Sequence, residues 1–542
     1  MEHQNAASRI DELFTRHQIP AAWQVEPIHQ REYLLNGQLV PWDGEVAEVF
    51  SPVYVQTPEG LRRKLLGTIP QVSPRESLEA LQAAVSAYDN GQGKWPTMRV
   101  EERIACMQKF VYLMIQKRDQ VIKMIMWEIG KSTTDATKEF DRTVEYINQT
   151  IDALKELDRQ SSRFEQAEGV IAQIRRSPLG VVLSMGPFNY PLNEIFTTLI
   201  PALIMGNTIL FKLPKHGVLA HYPLLEAFRD AFPPGTVNTL YGRGSEIISP
   251  LMESGQINVL AFIGSSKVAV GLKKLHPKPN RLRSILSLDA KNAAIVTRHA
   301  DLEVAVKEIV LGALSFNGQR CTALKLVFVQ RDIAGAFIEK LAAAVSALEP
   351  GLPWEDEVKI TPLPEPDKPA YLEECLADAR AKGAKIVNPN GGRVNHSLFF
   401  PAVVYPVNDQ MKLYHEEQFG PIVPVVPFDS LAEPVNYQIE ASHGMQVSIF
   451  SNDSAEVASL IDPLVNLVSR VNINTQAQRS PDVFPFTGRK DSAEGTLSVS
   501  DALRSFSIRS LVATKATDAN KALFNTIVRD RDSNFLSTDY IL

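Results

Sequence analysis

The sequence predicts an α/β fold of two lobes, each built on a doubly wound parallel sheet. Three observations predict it. From residue 177 short apolar, β-branched runs alternate with helical segments long enough for right-handed crossovers. After about residue 290 the same alternation starts again. The chain has 542 residues, more than one core usually supports, so two or three domains are expected.

The elements follow in order. Residues 1–70 carry turn signals at Asn36-Gly37 and Asp43-Gly44 between short apolar runs, which predicts an N-terminal arm and small hairpins. Residues 74–130 read as helices. Ser77 is placed to cap the first, Leu78, Leu81, Val85 and Tyr88 share one face, and Gly91 and Gly93 close it. Val100, Ile104, Met107, Phe110, Val111 and Met114 recur at helical spacing, and the Met-rich run to Trp127 reads as core packing. A further helix opens at 131–134 and runs to about 157, carrying Arg142. Strands of the first lobe are expected at 180–184, 208–211, 237–240 and 259–263, with helices at 194–205 and 220–232 between them. Strands of the second lobe are expected at 293–296, 326–329, 386–387, 422–426, 447–450 and 470–473. Residues 351–369, rich in proline and charge, read as a surface loop, and the polar tail beyond about 512 as a docking arm or a partly disordered segment.

Composition narrows the class. The chain is 44% hydrophobic and 22% charged, with a formal net charge of -6, so no global basic field points to nucleic acid. Its three cysteines, Cys106, Cys321 and Cys375, form no metal-binding spacing, and so sparse a set suits a reducing compartment. The N-terminal residues lack the apolar core of an export signal, and the greasiest stretch, 195–211, is broken by Thr197, Thr198, Pro201, Gly206 and Asn207. A cytoplasmic protein with no membrane partner is the expectation. The histidines show no H-E-x-x-H or similar pairing, so no metal site is expected.

Chemistry concentrates in a few turns. Cys321 stands between Arg320 and Thr322, after a helical segment broken by Gly318 and before an apolar strand. A thiol at such a junction beside a cation can serve as a nucleophile; taken alone it equally reads as a small buried hydrophobe. Gly264 and Ser265 follow an apolar strand and open a helix, so their backbone N–H groups can face a pyrophosphate, although G-x-G-x-x-G is absent. Lys212 and Lys215 leave a strand end where a ribose and a 2′-phosphate would sit; a solvated basic loop is the competing reading. The prolines bracketing Asn189 make a rigid turn that can fix its amide as a donor. Glu417 precedes Phe419 and a Gly-Pro turn. Arg142, Arg320 and Arg479 form an anion site only if the fold gathers them.

In this order the segments Pro187-Phe-Asn-Tyr-Pro191, Phe211-Lys-Leu-Pro-Lys215, Gly264, Gly318-Gln-Arg-Cys-Thr-Ala-Leu-Lys325 and Glu416-Glu-Gln-Phe-Gly-Pro421 resemble the aldehyde dehydrogenase superfamily over about residues 35–510. With residues 474–486 they look most like its branch that oxidises glyceraldehyde 3-phosphate with NADP and without phosphate incorporation. The resemblance implies Cys321 as nucleophile, with Asn189 and the Cys321 N–H as oxyanion hole. It implies Lys212, Lys215, Gly264, Ser265, Glu417 and Phe419 as contacts to NADP, NAD being possible. It implies Tyr190, Arg142, Arg320, Thr322 and Arg479 as the pocket for a substrate phosphate. The implied division is an arm at 1–40, a Rossmann-like cofactor-binding domain at 41–159 and 177–287, a catalytic domain at 288–494, a hairpin with a late strand for oligomerisation at 160–176 and 495–512, and a tail at 513–542. A homodimer or homotetramer is expected.

One position departs from the family pattern. The usual Glu-Leu-Gly-Gly-Lys reads Ser287-Leu-Asp-Ala-Lys291, so a serine stands where the general base is expected. Asp289, or Glu417 through water, is the expected substitute. The same gap allows a relative that passes its acyl group to coenzyme A, and a catalytically silent structural homologue is a third alternative.

Overall fold

The computed structural model describes residues 6–15 and 18–539. Met1 to Asn5, on which part of the export-signal reading rests, lie outside the described residues. Among the described residues no helix is long and apolar enough to cross a membrane.

Two large sheets dominate. The first has six strands in the order Val237–Leu240, Thr208–Lys212, Val181–Met185, Val259–Ile263, Arg283–Ser287 and Ala493–Glu494. The first five are parallel, and the last, returning from far along the chain, is antiparallel. The strand order reverses between Val181–Met185 and Val259–Ile263, which makes their carboxyl ends a natural ligand crevice. The strand Arg283–Ser287 escapes the sequence reading because it opens on a charge and is short; it carries Ser287 at its end.

The second sheet has seven strands in the order Lys385–Ile386, Ala402–Tyr405, Ile422–Phe428, Leu324–Gln330, Asn292–Val296, Gln446–Phe450 and Arg470–Ile473, all parallel but the first. Cys321 precedes Leu324–Gln330, so this sheet turns its amino ends towards the crevice. A third sheet joins the hairpin Phe164–Ala167 and Val170–Pro178 to the late strand Ser507–Lys515.

Helix ends correct the reading in detail. The first long helix, Pro74–Tyr88, is capped by Ser73 and not by Ser77. Ser73 and Glu76 form a reciprocal capping box, and Ser77 turns its hydroxyl back to the Pro74 carbonyl at 2.8 Å. The Asp43-Gly44 signal marks no hairpin; the second N-terminal hairpin joins Val46–Thr57 to Gly60–Pro70. As far as Asp539 the tail is ordered: it forms the helix Asp518–Asp530, and Leu536 is buried.

Asn207 ties the first sheet to its helices. Its Oδ1 accepts the N–H groups of Leu179 at 2.7 Å and Gly180 at 3.0 Å, and its Nδ2 donates to the carbonyls of Ala202 at 2.7 Å and Phe506 at 3.0 Å. Asn207→Ala strands the N–H groups of Leu179 and Gly180 and the Phe506 carbonyl, and is expected to cost roughly 3 kcal/mol, read as a lower midpoint in urea at unchanged m.

Candidate active site

Cys321 is delivered by a turn that other residues over-determine. The helix Leu302–Leu314 ends, and Phe316, Asn317 and Gly318 follow with positive φ. Such backbone costs roughly 1–3 kcal/mol per non-glycine residue and needs external support. Asn317 supplies it, donating to the Thr361 carbonyl at 3.0 Å and accepting the Thr361 N–H at 3.0 Å. Gly318 is required as well, since a Cβ there would meet the carbonyl oxygens of Ala313 at 2.7 Å and Gly420 at 2.8 Å. Beyond the turn, the Cys321 carbonyl accepts Asn292 Nδ2 at 2.8 Å and Lys325 Nζ at 2.9 Å.

The opposite wall is the turn after Val181–Met185. Asn189 is buried and donates Nδ2 to the Gln319 carbonyl at 2.8 Å, so the two walls touch two residues before the thiol. Beneath that turn lies a fully buried ion pair, Lys131 with Glu139. Glu139 Oε1 also accepts the N–H groups of Leu192 at 3.0 Å and Asn193 at 3.1 Å. Lys131 Nζ sits 3.3 Å from the ring centre of Tyr190 and 4.7 Å from that of Phe316.

Between the walls is a cavity of about 730 Å³, within the range usual for small-molecule sites. Of the residues singled out in the sequence, Cys321, Asn189, Ser287, Asp289, Lys215, Gly264, Ser265, Glu417, Phe419, Arg142, Tyr190, Arg320, Thr322 and Arg479 all line it. Lys212 does not. It is buried, donates to the Leu213 carbonyl at 2.5 Å, and lines an adjoining cavity of about 470 Å³ shared with Lys215 and Arg243. Burial pulls the Lys212 ammonium down to about 8.

The charges are not free. Arg142 forms a two-point pair with Asp482, at 3.0 and 2.9 Å. Arg479 pairs with Glu194 and with Asp482, the latter at 3.2 Å, and stacks on Phe486. Arg320 donates only Nη2, to the carbonyls of Leu311 at 3.2 Å and Gly312 at 2.8 Å, and its Nε is buried without a partner among the described residues. Glu417 pairs with Lys325 at 2.8 Å and accepts the Ala290 N–H at 3.2 Å. Lys291 holds the same segment through the Glu416 carbonyl and Gln418 Oε1, and burial, with the charge of Lys325, pulls it down to about 7.

Asp289 accepts both the N–H and the hydroxyl of Ser266 at 2.8 Å, so it caps the helix Ser266–Leu275. This geometry turns it towards the start of that helix, and its expected part in water activation draws no support from it. The Ser287 hydroxyl is buried without a hydrogen-bond partner among the described residues. The Cys321 thiol is pushed up to about 12, first by burial, then by the fields of Glu194 and Glu417, with Lys325 and Arg479 opposing. Arg320 therefore does not leave it as a thiolate.

Sequence reasoning missed Glu194, Asp482, Lys325, Lys131 and Glu139. Two had a visible signal: Glu194 is the one charged residue of the buried helix Asn193–Ile204, and Lys325 interrupts the apolar run of the strand Leu324–Gln330.

A sheet crevice for a dinucleotide, facing a thiol and an amide donor, defines a nucleotide-dependent oxidoreductase. The model of the aldehyde dehydrogenase family matches residues 52–512. The chain is 34% identical over 458 residues to the NADP-dependent glyceraldehyde-3-phosphate dehydrogenase of Streptococcus equinus, covering 83% of this chain and 92% of that one. It is 27% identical over 470 residues to the malonate-semialdehyde dehydrogenase of Bacillus cereus (strain G9842), covering 85% and 93%. The crystal structure of NADP-dependent glyceraldehyde-3-phosphate dehydrogenase from Bacillus halodurans C-125 complexed with NADP superposes with a TM-score of 0.82 at 30% identity, covering 91% of this chain and all of that one. The chain belongs to the aldehyde dehydrogenase family. It is an NAD(P)-dependent oxidoreductase that converts an aldehyde to the acid.

Two outcomes are expected. Without cofactor, iodoacetamide labelling of Cys321 should rise about tenfold per pH unit from about pH 7 to about pH 9 with no plateau, because the thiol titrates far above that window. Asp289→Gly should lower KM for NADP severalfold, since it removes a carboxylate and frees an N–H at a helix start that suits a pyrophosphate; a raised KM would show that Asp289 is needed to hold the turn.

Proposed function

We propose that the enzyme oxidises a small phosphorylated aldehyde, glyceraldehyde 3-phosphate, to 3-phosphoglycerate with NADP. The observation that carries this reading is the convergence of Arg142, Tyr190, Arg320, Thr322 and Arg479, from four separate segments, on the cavity of Cys321. A phosphate there takes over hydrogen bonds that Arg479 and Arg142 now donate to Glu194 and Asp482.

The residues divide the work. Cys321 gives up its thiol proton to solvent, Sγ attacks the aldehyde carbon, and the Asn189 amide and the Cys321 N–H receive the developing oxyanion. The nicotinamide of NADP supplies the hydride acceptor, which leaves a thioester on Cys321. Lys325 and Lys291 fix the segment of Glu417 and Phe419 against which that ring would rest. Ser265 and Gly264 face the pyrophosphate, Lys212 the ribose, and Lys215 with Arg243 the 2′-phosphate. Water hydrolyses the thioester, with Glu194, whose field reaches Cys321, as the proton acceptor in place of Ser287. A cytoplasmic homo-oligomer assembled through the sheet that contains Val170–Pro178 and Ser507–Lys515 completes the reading.

The pairing of Arg142 and Arg479 with acids favours one second reading, an uncharged short aldehyde. Comparing kcat/KM for glyceraldehyde 3-phosphate and glyceraldehyde decides between them. The phosphorylated substrate should win by about 100-fold, and Arg142→Ala or Arg479→Ala should raise its KM at least about tenfold. Equal rates on the two aldehydes would overturn the phosphate assignment. Lys215→Glu should shift preference from NADP to NAD, and an NADPH burst that needs coenzyme A for turnover would replace hydrolysis by acyl transfer.

A further inference from the structure

A second cavity, remote from Cys321, lies under the C-terminal strap. It measures about 420 Å³ and is walled by Met98, Leu154, Leu157 and Phe535. At its floor is Arg103, on the helix Val100–Ile115 and only 4% exposed. Its side chain makes no hydrogen bond or ion pair among the described residues, and its Nε is buried with no partner. Burial pulls the guanidinium down to about 10, against the field of Asp158, so it stays a cation at neutral pH. A buried cation without an acceptor costs several kcal/mol, which marks the position as one that receives something.

The surroundings are built around this guanidinium. Gly206 has φ +96°, and a Cβ there would stand 2.3 Å from Arg103 Nη1. Asp158, Arg175 and Arg176 are committed, whereas Asp532, also on the cavity wall, has no side-chain hydrogen bond or ion pair among the described residues. Asp158 Oδ1 accepts Arg175 Nη1 at 3.1 Å, and Arg175 Nη2 donates to the Ser537 carbonyl at 2.7 Å. Arg176 is spent on the Ser507 hydroxyl at 2.6 Å and the Arg504 carbonyl at 2.8 Å. One uncommitted guanidinium fork therefore faces a cavity of mixed lining, whose apolar part is formed by Met98, Leu154, Leu157 and Phe535. A single forked anion on a short apolar body matches both.

We propose that this cavity binds an apolar monocarboxylate, its head on Arg103 and its body between Leu154, Leu157 and Phe535. Its lid is the strap, where Asn534 donates to the Thr97 carbonyl at 2.8 Å and accepts Arg99 Nε at 3.1 Å. Occupancy thus tightens the tail. The bland alternative is that Arg103 merely caps the carbonyl end of the helix Asn193–Ile204, beside Met205 and Gly206.

Calorimetry and thermal melting of the full chain with hexanoate, hexan-1-ol and inorganic phosphate separate the two. Hexanoate should bind saturably and raise the melting temperature. Hexan-1-ol should bind about tenfold more weakly or not at all. Arg103→Met should lose hexanoate binding about tenfold or more. It should melt no lower than wild type without ligand, because an apolar isostere removes an uncompensated buried charge. Amide exchange at residues 533–537 should slow with hexanoate in the wild type alone. Should Arg103→Met not fold, Arg103→Lys, which keeps the charge without the fork, should weaken hexanoate severalfold. Hexanoate binding that survives Arg103→Met, as binding in the Cys321 cavity would, overturns the proposal. So does phosphate binding through Arg103 with hexanoate ignored, or no saturable binding with a lowered melting temperature in Arg103→Met.

Discussion

The buried pair of Lys131 and Glu139 is the contact on which the site depends. Neither side chain is exposed, and between them they reach both walls of the cavity. Glu139 fixes the N–H groups that follow the Asn189–Tyr190 turn, and Lys131 lies against Tyr190 and against Phe316, five residues before the thiol. A buried ion pair adds little to stability relative to apolar residues of the same size, but loss of one partner leaves a bare charge and costs roughly 3–5 kcal/mol. Its value here is geometric: it registers one sheet's turn against the other sheet's strand.

The same economy of charge runs through the cavity. Most cations that a substrate might use are already matched, Arg479 by Glu194 and Asp482, Arg142 by Asp482, Lys325 by Glu417, while Arg320 meets only carbonyls. The resting site is close to neutral, and the thiol is kept protonated by burial and by two carboxylates. Activation therefore has to come from what binds. The positive charge of a nicotinamide ring beside Cys321 would oppose the field of Glu194 and Glu417.

Much of this was legible in the chain. The alternation of strands and helices gave both sheets, because buried parallel strands read as continuous apolar runs. Motif order placed fourteen residues on one cavity. The misses share a cause. Arg283–Ser287 and Ala402–Tyr405 are too short or too polar at their ends to stand out, and Glu139 and Asp482 act through partners 53 and 340 positions away, a distance no local pattern reports. The cap of the first helix moved from Ser77 to Ser73 because Glu76 completes a capping box that Ser77 cannot.

Ser287 makes the second half-reaction the weak point of the cycle, with no carboxylate at the end of its strand to activate water. The most direct measurement is acid quenching of enzyme mixed with glyceraldehyde 3-phosphate and NADP on the millisecond scale, followed by peptide mass analysis. The account predicts a phosphoglyceryl thioester on the peptide that contains Cys321, formed with the NADPH burst and decaying more slowly than it forms. A burst with no adduct on that peptide, or an adduct on Cys106 or Cys375 instead, would contradict it.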